Sequence, residues 1–257
     1  MSKARTYKAL AVVLRKTKLG EKDLIVTLLG QDGSLIRAVA KGARKPGGSM
    51  AAKFELFNVI DAMFAQGRNL DVVTDARFVP GTARCAFGLE QSACAAPIAE
   101  LVCMIAQEGL EHPRLYDMTV KAFGCIAGAS PNSALAIAAA DLLKTLASEG
   151  LRPSFDVCVS CAGPIDMGVA DSRVAMSFED GGIVCDSCRR PPQAVLVESR
   201  TVELAKAMLY ARFDDILEWD VDVRDLFAAL QFARQWTRTH AGRDLKSLDF
   251  LFTGGLY

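Results

Sequence analysis

Histidine is nearly absent from this chain, which has only His112 and His240 among its 257 residues. Imidazole is the side chain that most often acts as a general acid or base near neutral pH, and neither histidine belongs to a recognisable nucleophile–base pattern. The sequence also lacks the G-x-x-x-x-G-K-[ST] loop with which P-loop proteins bind the phosphates of ATP. These absences argue against ATP hydrolysis and histidine-based catalysis, so we expect a binding protein and not an enzyme.

Long hydrophobic runs are missing as well. Hydrophobic residues make up 51% of the chain, but no stretch approaches the roughly 20 consecutive apolar residues of a membrane helix. Near the start, the apolar run Ala9–Leu14 is followed at once by Arg15 and Lys16, so it is shorter than the hydrophobic core of a signal peptide. We therefore expect a globular, cytoplasmic protein with no membrane association.

Charges of opposite sign are segregated along the chain, although Lys+Arg and Asp+Glu both number 30. Up to Pro80 there are 14 basic and 7 acidic residues, and the remainder has 16 basic and 23 acidic residues, so the two net charges are +7 and −7. A compact positive region attracts polyanions and binds them with strong salt dependence. The first part of the chain is therefore a candidate nucleic-acid-binding module, the alternative being an ordinary Lys-rich surface.

This basic part has the pattern of a small β-barrel. Short runs rich in β-branched and aliphatic residues alternate with turn residues such as Asp32-Gly33. The predicted strands are Ala9–Thr17, Asp23–Leu29, Ser34–Lys41, Phe54–Ala65 and Leu70–Val79. Five strands in about eighty residues are typical of an OB-fold, and an SH3-like barrel fits the pattern nearly as well.

From Gly81 onward the hydrophobic period becomes helical, and Pro97 predicts a break or a helix start. The clearest helix begins at Ser130-Pro131 and ends at Glu149-Gly150. After Pro191-Pro192 we expect helix again. The other predicted features here are the helical segments Arg84–Leu110 and Tyr116–Ile126, an apolar stripe of Val202, Ala205, Leu209, Phe213 and Ile216, and a second stripe of Val223, Leu226, Phe227 and Leu230 opposite Arg224, Gln231, Gln235 and Arg238.

Four of the eight cysteines form two C-x-x-C pairs, which lets both sulfurs of each pair face one ion. The pairs are Cys158 with Cys161 and Cys185 with Cys188. Four thiolates complete the closed tetrahedral shell of structural zinc, with an iron–sulfur cluster, a redox dithiol pair or an empty site as alternatives. Strands at Arg173–Phe178 and Ile183-Val184 would build a zinc ribbon. The remaining cysteines, Cys85, Cys94, Cys103 and Cys125, are expected to be plain core residues.

The predicted fold is therefore multidomain α+β. An N-terminal OB-fold β-barrel (1–80) is followed by an all-α domain (81–257) with an inserted four-cysteine zinc ribbon (155–192).

Three short motifs resemble the RecO family of recombination mediators. They are Gly20–Asp23 and Ala40–Arg44 in the basic module, and Gly242–Leu251 near the end of the chain. The two cysteine pairs inside a helical domain are also similar to that family. The motifs occur in matching order over the whole chain.

This resemblance implies a DNA repair and recombination mediator. RecO proteins bind single- and double-stranded DNA, anneal complementary strands and contact the C-terminal tail of single-stranded-DNA-binding protein. With RecR they help to load RecA onto covered single strands. The resemblance further implies one structural zinc, and association with the nucleoid during repair. For the acidic, apolar-ended tail we expect a groove that offers Arg or Lys beside aliphatic residues, and Arg84, Lys121 and Lys144 are candidates.

The candidate DNA-binding residues are the basic side chains of the barrel. Arg37, Lys41, Arg44 and Lys45 lie on one predicted strand and its loop, and Lys8, Arg15, Lys16, Lys53 and Arg68 are further candidates. Because most of its aromatic residues (Tyr7, Phe54, Phe57, Phe64 and Phe78) are expected to fill the core, we predict chiefly electrostatic, sequence-tolerant binding.

Two other functions fit parts of the sequence. A zinc-ribbon protein that binds RNA or the transcription machinery would also combine a basic barrel with four cysteines. A zinc-dependent hydrolase or deaminase would need an open metal site with a nearby Glu or His, and four thiolates without a neighbouring His argue against it.

Overall fold

The computed structural model describes residues 5–45, 49–79, 87–165, 172–190 and 193–255. The first part is a closed barrel with the strand order β1-β2-β3-β5-β4, in which only the pair β3 and β5 is parallel. This five-stranded topology is that of an OB-fold, as predicted. The strands are β1 (Thr6–Leu19), β2 (Asp23–Gly30), β3 (Leu35–Ala40), β4 (Val59–Ala65) and β5 (Asp71–Phe78).

The barrel core follows from the alternation of apolar residues along each strand. On β3, Ile36, Ala38 and Ala40 are buried, whereas Arg37 is exposed, as the pattern predicts. The long strand β1 has a register shift between Val13 and Arg15. Such a bulge changes which side chains face inward beyond it.

The predicted fourth strand, Phe54–Ala65, begins too early. A short helix, α1 (Ser49–Lys53), precedes Phe54, and β4 starts only at Val59. Phe54 is fully buried in the barrel core, and Phe57 has a φ of +70°, which an extended strand cannot contain. Phe57 packs against Phe87 and Phe123, with ring centroids 4.8 and 4.9 Å apart.

The chain divides into two compact units. The first contains the barrel and residues 98–127, and the second contains residues 89–97 and those from 128 onward. The predicted domain boundary at residues 80–81 lies outside the described residues, so the division into 1–80 and 81–257 stays a prediction. The helices are α2 (Leu89–Ile105), α3 (Pro113–Ala127), α4 (Pro131–Ser148), α5 (Ser199–Tyr210), α6 (Phe213–Leu217), α7 (Val223–Ala241) and α8 (Ser247–Thr253).

Helix α4 agrees with its prediction. The Ser130 side chain accepts a hydrogen bond from the backbone N–H of Ser133, and Pro131 occupies the first turn, which is the usual N-terminal cap. The predicted stop at Glu149-Gly150 is also confirmed, because Gly150 has a φ of +81°. The helix packs against α5, α6 and α7 in the second unit.

Two helical predictions need correction, and part of a third is untested. The helix α2 continues through buried Pro97 without a break, although proline has no N–H to donate to the helical hydrogen-bond pattern. The stripe from Val202 to Ile216 belongs to two helices, because Ala211 and Arg212 are extended. The part of Arg84–Leu110 before residue 87 lies outside the described residues.

After residue 192 the chain first forms a strand, β8 (Val195–Glu198), where we predicted helix. It pairs with β6 (Arg173–Ser177), which also pairs with β7 (Gly182–Val184). The predicted ribbon strands are thus confirmed, and β8 extends their sheet. Val195 and Leu196 are both exposed, so β8 lacks the alternation that identifies a strand in sequence. Among the described residues, no helix has the length and apolar character needed to cross a membrane.

Candidate nucleic-acid interface and metal centre

The first cysteine pair lies in a tight turn that its own backbone closes. The N–H of Cys158 donates to the carbonyl of Gly163 at 2.8 Å, and the N–H of Ala162 donates to the carbonyl of Cys158 at 2.8 Å. Ala162 has a φ of +57°, a conformation that is uncommon outside glycine. The turn therefore holds Cys158 and Cys161 on the same side.

The second pair follows β7 directly. The N–H groups of Cys188 and Arg189 both donate to the carbonyl of Cys185 at 3.0 Å. The sheet brings this turn to the first one, because the N–H of Val159 donates to the carbonyl of Ile183 at 2.9 Å. The fold thus joins two pairs that are separated by the β6–β7 hairpin.

The four sulfurs form a compact group, all within 4.8 Å of one another. The Sγ atoms of Cys161 and Cys185 are 3.8 Å apart. A tetrahedral shell with Zn–S bonds of about 2.3 Å has edges of about 3.8 Å. The geometry and the all-thiol ligand set therefore suit a divalent metal of the zinc type.

Hydrogen bonds within the cluster shift the pKa values of two of these thiols in opposite directions. The backbone N–H of Cys185 donates to Cys158 Sγ at 3.3 Å and lowers the pKa of Cys158 to about 6. Hydrogen bonds with Cys185 and Cys161 raise the pKa of Cys188 to about 12. Crowded sulfurs cannot all ionise without a counter-charge, which a bound cation would provide. Arg189 and Arg190 are exposed directly after this pair.

Two of the predicted DNA-binding cations share the outer face of the barrel. Arg15 on β1 and Arg37 on β3 both lie directly opposite Thr27 on β2. The neighbours Val26 and Leu28 point into the core, so Thr27 and its two partners point outward. The bulge in β1 thus places two guanidinium groups in one row across three strands.

Three further candidates lie where β3 ends. The N–H of Gly42 donates to Asp23 Oδ1 at 2.7 Å, which fixes the turn against the β1–β2 hairpin. Arg44 Nη1 donates to the carbonyl of Gly20 at 2.5 Å, so this side chain is partly engaged. Lys41 and Lys45 are exposed. The rest of the predicted loop, residues 46–48, lies outside the described residues.

The other candidates lie outside the row of Arg15 and Arg37, although Lys8 and Arg68 line one groove together with Arg37. Lys8 forms an ion pair with Asp61 at 2.7 Å, and Lys16 forms one with Glu55 at 2.5 Å. Both charges are therefore partly neutralised. Lys53 ends α1, and Arg68 is exposed in the β4–β5 loop.

Sequence reasoning missed Lys22 as a candidate. Its side chain is exposed, and its carbonyl accepts the N–H of Arg44 at 3.0 Å, so it borders the Lys41–Lys45 turn. The signal was present, because Lys22 belongs to the quoted Gly20–Asp23 motif.

The aromatic residues of the barrel are mostly internal, as predicted. Phe54, Phe57 and Phe64 are buried. Tyr7 is only half-buried and stacks on Phe64 with centroids 5.2 Å apart. Its hydroxyl donates to Asp71, and burial together with this hydrogen bond raises the pKa of Tyr7.

The candidates for tail binding differ in their surroundings. Lys144 Nζ donates to the carbonyl of Leu209 at 2.9 Å and lies 5.8 Å from the centre of the Phe213 ring. Lys121 is exposed on α3. Arg84 lies outside the described residues.

Comparison with known protein families agrees with this architecture. The family model described as "Recombination protein O N terminal" matches residues 1–81, and "Recombination protein O C terminal" matches residues 87–249. Together the two matches cover nearly the whole chain, including the barrel, the helices and the cysteine cluster. The chain therefore belongs to the recombination protein O (RecO) family, and its two domains make it a mediator of DNA repair and recombination.

Proposed function

We propose that this protein binds single- and double-stranded DNA through the cationic outer face of its barrel and anneals complementary strands. The observation that carries this proposal is the row formed by Arg15 and Arg37 on either side of Thr27. Beyond the end of β3, the exposed side chains of Lys41 and Lys45 continue this face. Such groups release counterions from phosphates and bind DNA without reading its sequence.

Annealing follows from the same interaction. Each strand repels its complement through its phosphates, and guanidinium or ammonium groups reduce that repulsion. Contacts to phosphate leave the base edges free to pair. The process therefore consumes no fuel, and catalytic activity is not part of the proposal.

Replacing Arg15 and Arg37 together by Ala tests the interface. The double variant should bind oligo-dT about 10-fold more weakly at low ionic strength, because two phosphate contacts are lost. Fluorescence anisotropy measures the affinity. The control is Arg77→Ala, which removes an exposed charge that is paired with Asp75 at 3.3 Å elsewhere on the barrel.

The proposal fails if Arg15→Ala/Arg37→Ala binds oligo-dT as tightly as the unaltered protein. It also fails if Arg77→Ala weakens binding by the same factor as Arg15→Ala or Arg37→Ala alone, since the effect would then reflect net charge alone.

Family membership supports specific partners. We propose that the protein acts with RecR, contacts the C-terminal tail of single-stranded-DNA-binding protein and so helps to load RecA onto covered strands. We further propose that it works in the cytoplasm, at the nucleoid during repair. Lys121, which is exposed on α3, and Lys144, which donates to the carbonyl of Leu209, both stay candidates for tail binding together with Arg84.

The four cysteines are proposed to hold one structural zinc ion. Cys158, Cys161, Cys185 and Cys188 would supply all four ligands, which leaves no position for a reacting water. When bound, the ion cross-links the two turns and stabilises the ribbon. The zinc is thus assigned to folding and not to DNA chemistry.

A further inference from the structure

A groove of about 810 Å³ opens on the barrel unit. Its volume lies within the roughly 300–1,000 Å³ of typical ligand sites. It is formed by the start of β1, the β2–β3 turn, the β4–β5 loop and residues 108–109. Arg37, which belongs to the proposed DNA-binding row, also lines this groove.

One wall of the groove is fixed by backbone contacts. The N–H of His112 donates to the carbonyl of Asp32 at 2.7 Å, and the N–H of Leu35 donates to the carbonyl of Gln107 at 3.0 Å. Gly33 permits this approach, since a Cβ atom there would lie 2.0 Å from the carbonyl oxygen of His112. The 107–112 segment is therefore held against the β2–β3 turn.

A second wall is the β4–β5 loop, which Asp71 closes. Its Oδ1 accepts the N–H of Gly67 at 3.0 Å, and its Oδ2 accepts the hydroxyl of Tyr7. A Cβ atom at Gly67 would lie 1.9 Å from the carbonyl oxygen of Leu70, so the loop is tightly folded. Gln66, Arg68 and Asn69 are thus exposed from a loop of defined shape.

The groups left for a ligand are of two kinds. Asp71 is engaged as above, Lys8 is paired with Asp61 at 2.7 Å, and Asp32 Oδ1 accepts the N–H and hydroxyl of Ser34 at 2.9 and 2.8 Å. Among the remaining groups, the cations suit a phosphate. The amides and the carboxylate suit the edge of a base. They are Arg37, Arg68, Gln31, Gln66, Asn69 and Glu108.

We infer that this groove holds one unpaired nucleotide of the bound strand, with its phosphate near Arg37 and Arg68 and its base among the amides of Gln31, Gln66 and Asn69. The inference rests on the proposed function, because it assumes that single-stranded DNA lies on the barrel. It adds a base-dependent contribution to a binding mode that otherwise depends on phosphates. A strand would then be anchored at one point and not only attracted along its length.

The test compares an oligo-dT strand with a strand of equal length whose bases are replaced by abasic sites. Both carry the same phosphates, so their affinity ratio isolates the contribution of the bases. For the unaltered protein we expect a ratio of about 10, from two or three hydrogen bonds. Gln66→Ala/Asn69→Ala should bring the ratio close to 1 without changing the affinity for the abasic strand.

Two further variants make the result specific. Gln235→Ala removes an exposed amide on α7 and should leave the ratio unchanged. Arg68→Gln should weaken both strands by a similar factor, because it removes a phosphate contact. Thermal melting of each variant verifies that the exposed β4–β5 loop tolerates the substitution.

Different outcomes contradict different claims. If Gln66→Ala/Asn69→Ala keeps the ratio of the unaltered protein, or if that protein binds both strands equally, the groove does not hold a base. If the unaltered protein binds neither strand, the proposed function is wrong and the inference falls with it. If free dTMP binds the groove but the strand ratio is insensitive to Gln66→Ala/Asn69→Ala, the site takes a mononucleotide and our inference is overturned.

Discussion

At the scale of single residues, the cysteines and the cations of this protein differ in how far their roles depend on distant parts of the chain. Two residues between thiols determine locally that both can face one ion, and all four sulfurs do lie together. The role of a cation depends instead on distant neighbours. Arg44 is partly engaged by Gly20, and Arg15 reaches the outer face only because a bulge changes the phase of β1. Neither fact can be seen in a strictly alternating pattern.

Asp141 gives a residue-scale prediction about pH. This carboxyl is fully buried in α4, and desolvation raises its pKa to about 8. Within the described residues its Oδ1 has no hydrogen-bond partner. The folded protein therefore binds one more proton than the unfolded chain between about pH 4 and pH 8. Its stability falls as the pH rises through that range, because only the unfolded carboxyl is then ionised.

Asp141→Asn should remove this dependence. The measurement is urea unfolding at pH 6 and pH 8. Between these two pH values, the free energy of unfolding of the unaltered protein should fall by about 2 kcal/mol more than that of the variant. The variant should also be the more stable protein at pH 8. If the free energy of unfolding fell equally in both proteins, Asp141 would already be ionised in the folded state.

At the scale of elements, alternation and capping residues predicted most of the chain. Strands β1, β2, β3 and β5 and helix α4 lie close to their predicted positions, since each has a clear period and a distinct stop. The exceptions were decided by tertiary packing. Phe54 and Phe57 look like strand residues, but Phe54 fills the barrel core and Phe57 packs against Phe87 and Phe123. Strand β8 is a short edge strand recognised only by its pairing with β6.

The zinc ribbon gives the prediction at this scale. Its buried residues around the metal site are few, namely Cys158, Ala175, Val184 and Ala194, so the ion must contribute much of its stability. Cys185→Ser should abolish stoichiometric zinc binding and lower the melting temperature by several degrees. Cys103→Ser is the control, because this thiol belongs to α2 and not to the cluster. Metal analysis and calorimetry provide the two readouts.

Chelation offers an independent comparison for the ribbon. The unaltered protein stripped of metal should melt like Cys185→Ser. Identical melting of metal-loaded and metal-free protein would show that the cysteines do not hold a structural ion.

At the scale of the whole molecule, charge segregation and motif order predicted the barrel and the family. The basic excess before Pro80 coincides with a closed barrel, and the family models match both parts of the chain. The groove was not predictable. Its lining comes from positions between Tyr7 and Gly109, and only the folded barrel with its following segment brings them together.

The central claim is that the barrel binds single-stranded DNA mainly through its phosphates. The most direct measurement is the affinity of the unaltered protein for oligo-dT as a function of salt concentration. We predict binding at low ionic strength, with the logarithm of affinity falling by about 0.7 per phosphate contact for each tenfold rise in salt. Failure to bind oligo-dT in dilute buffer, or an affinity independent of salt, would contradict the account.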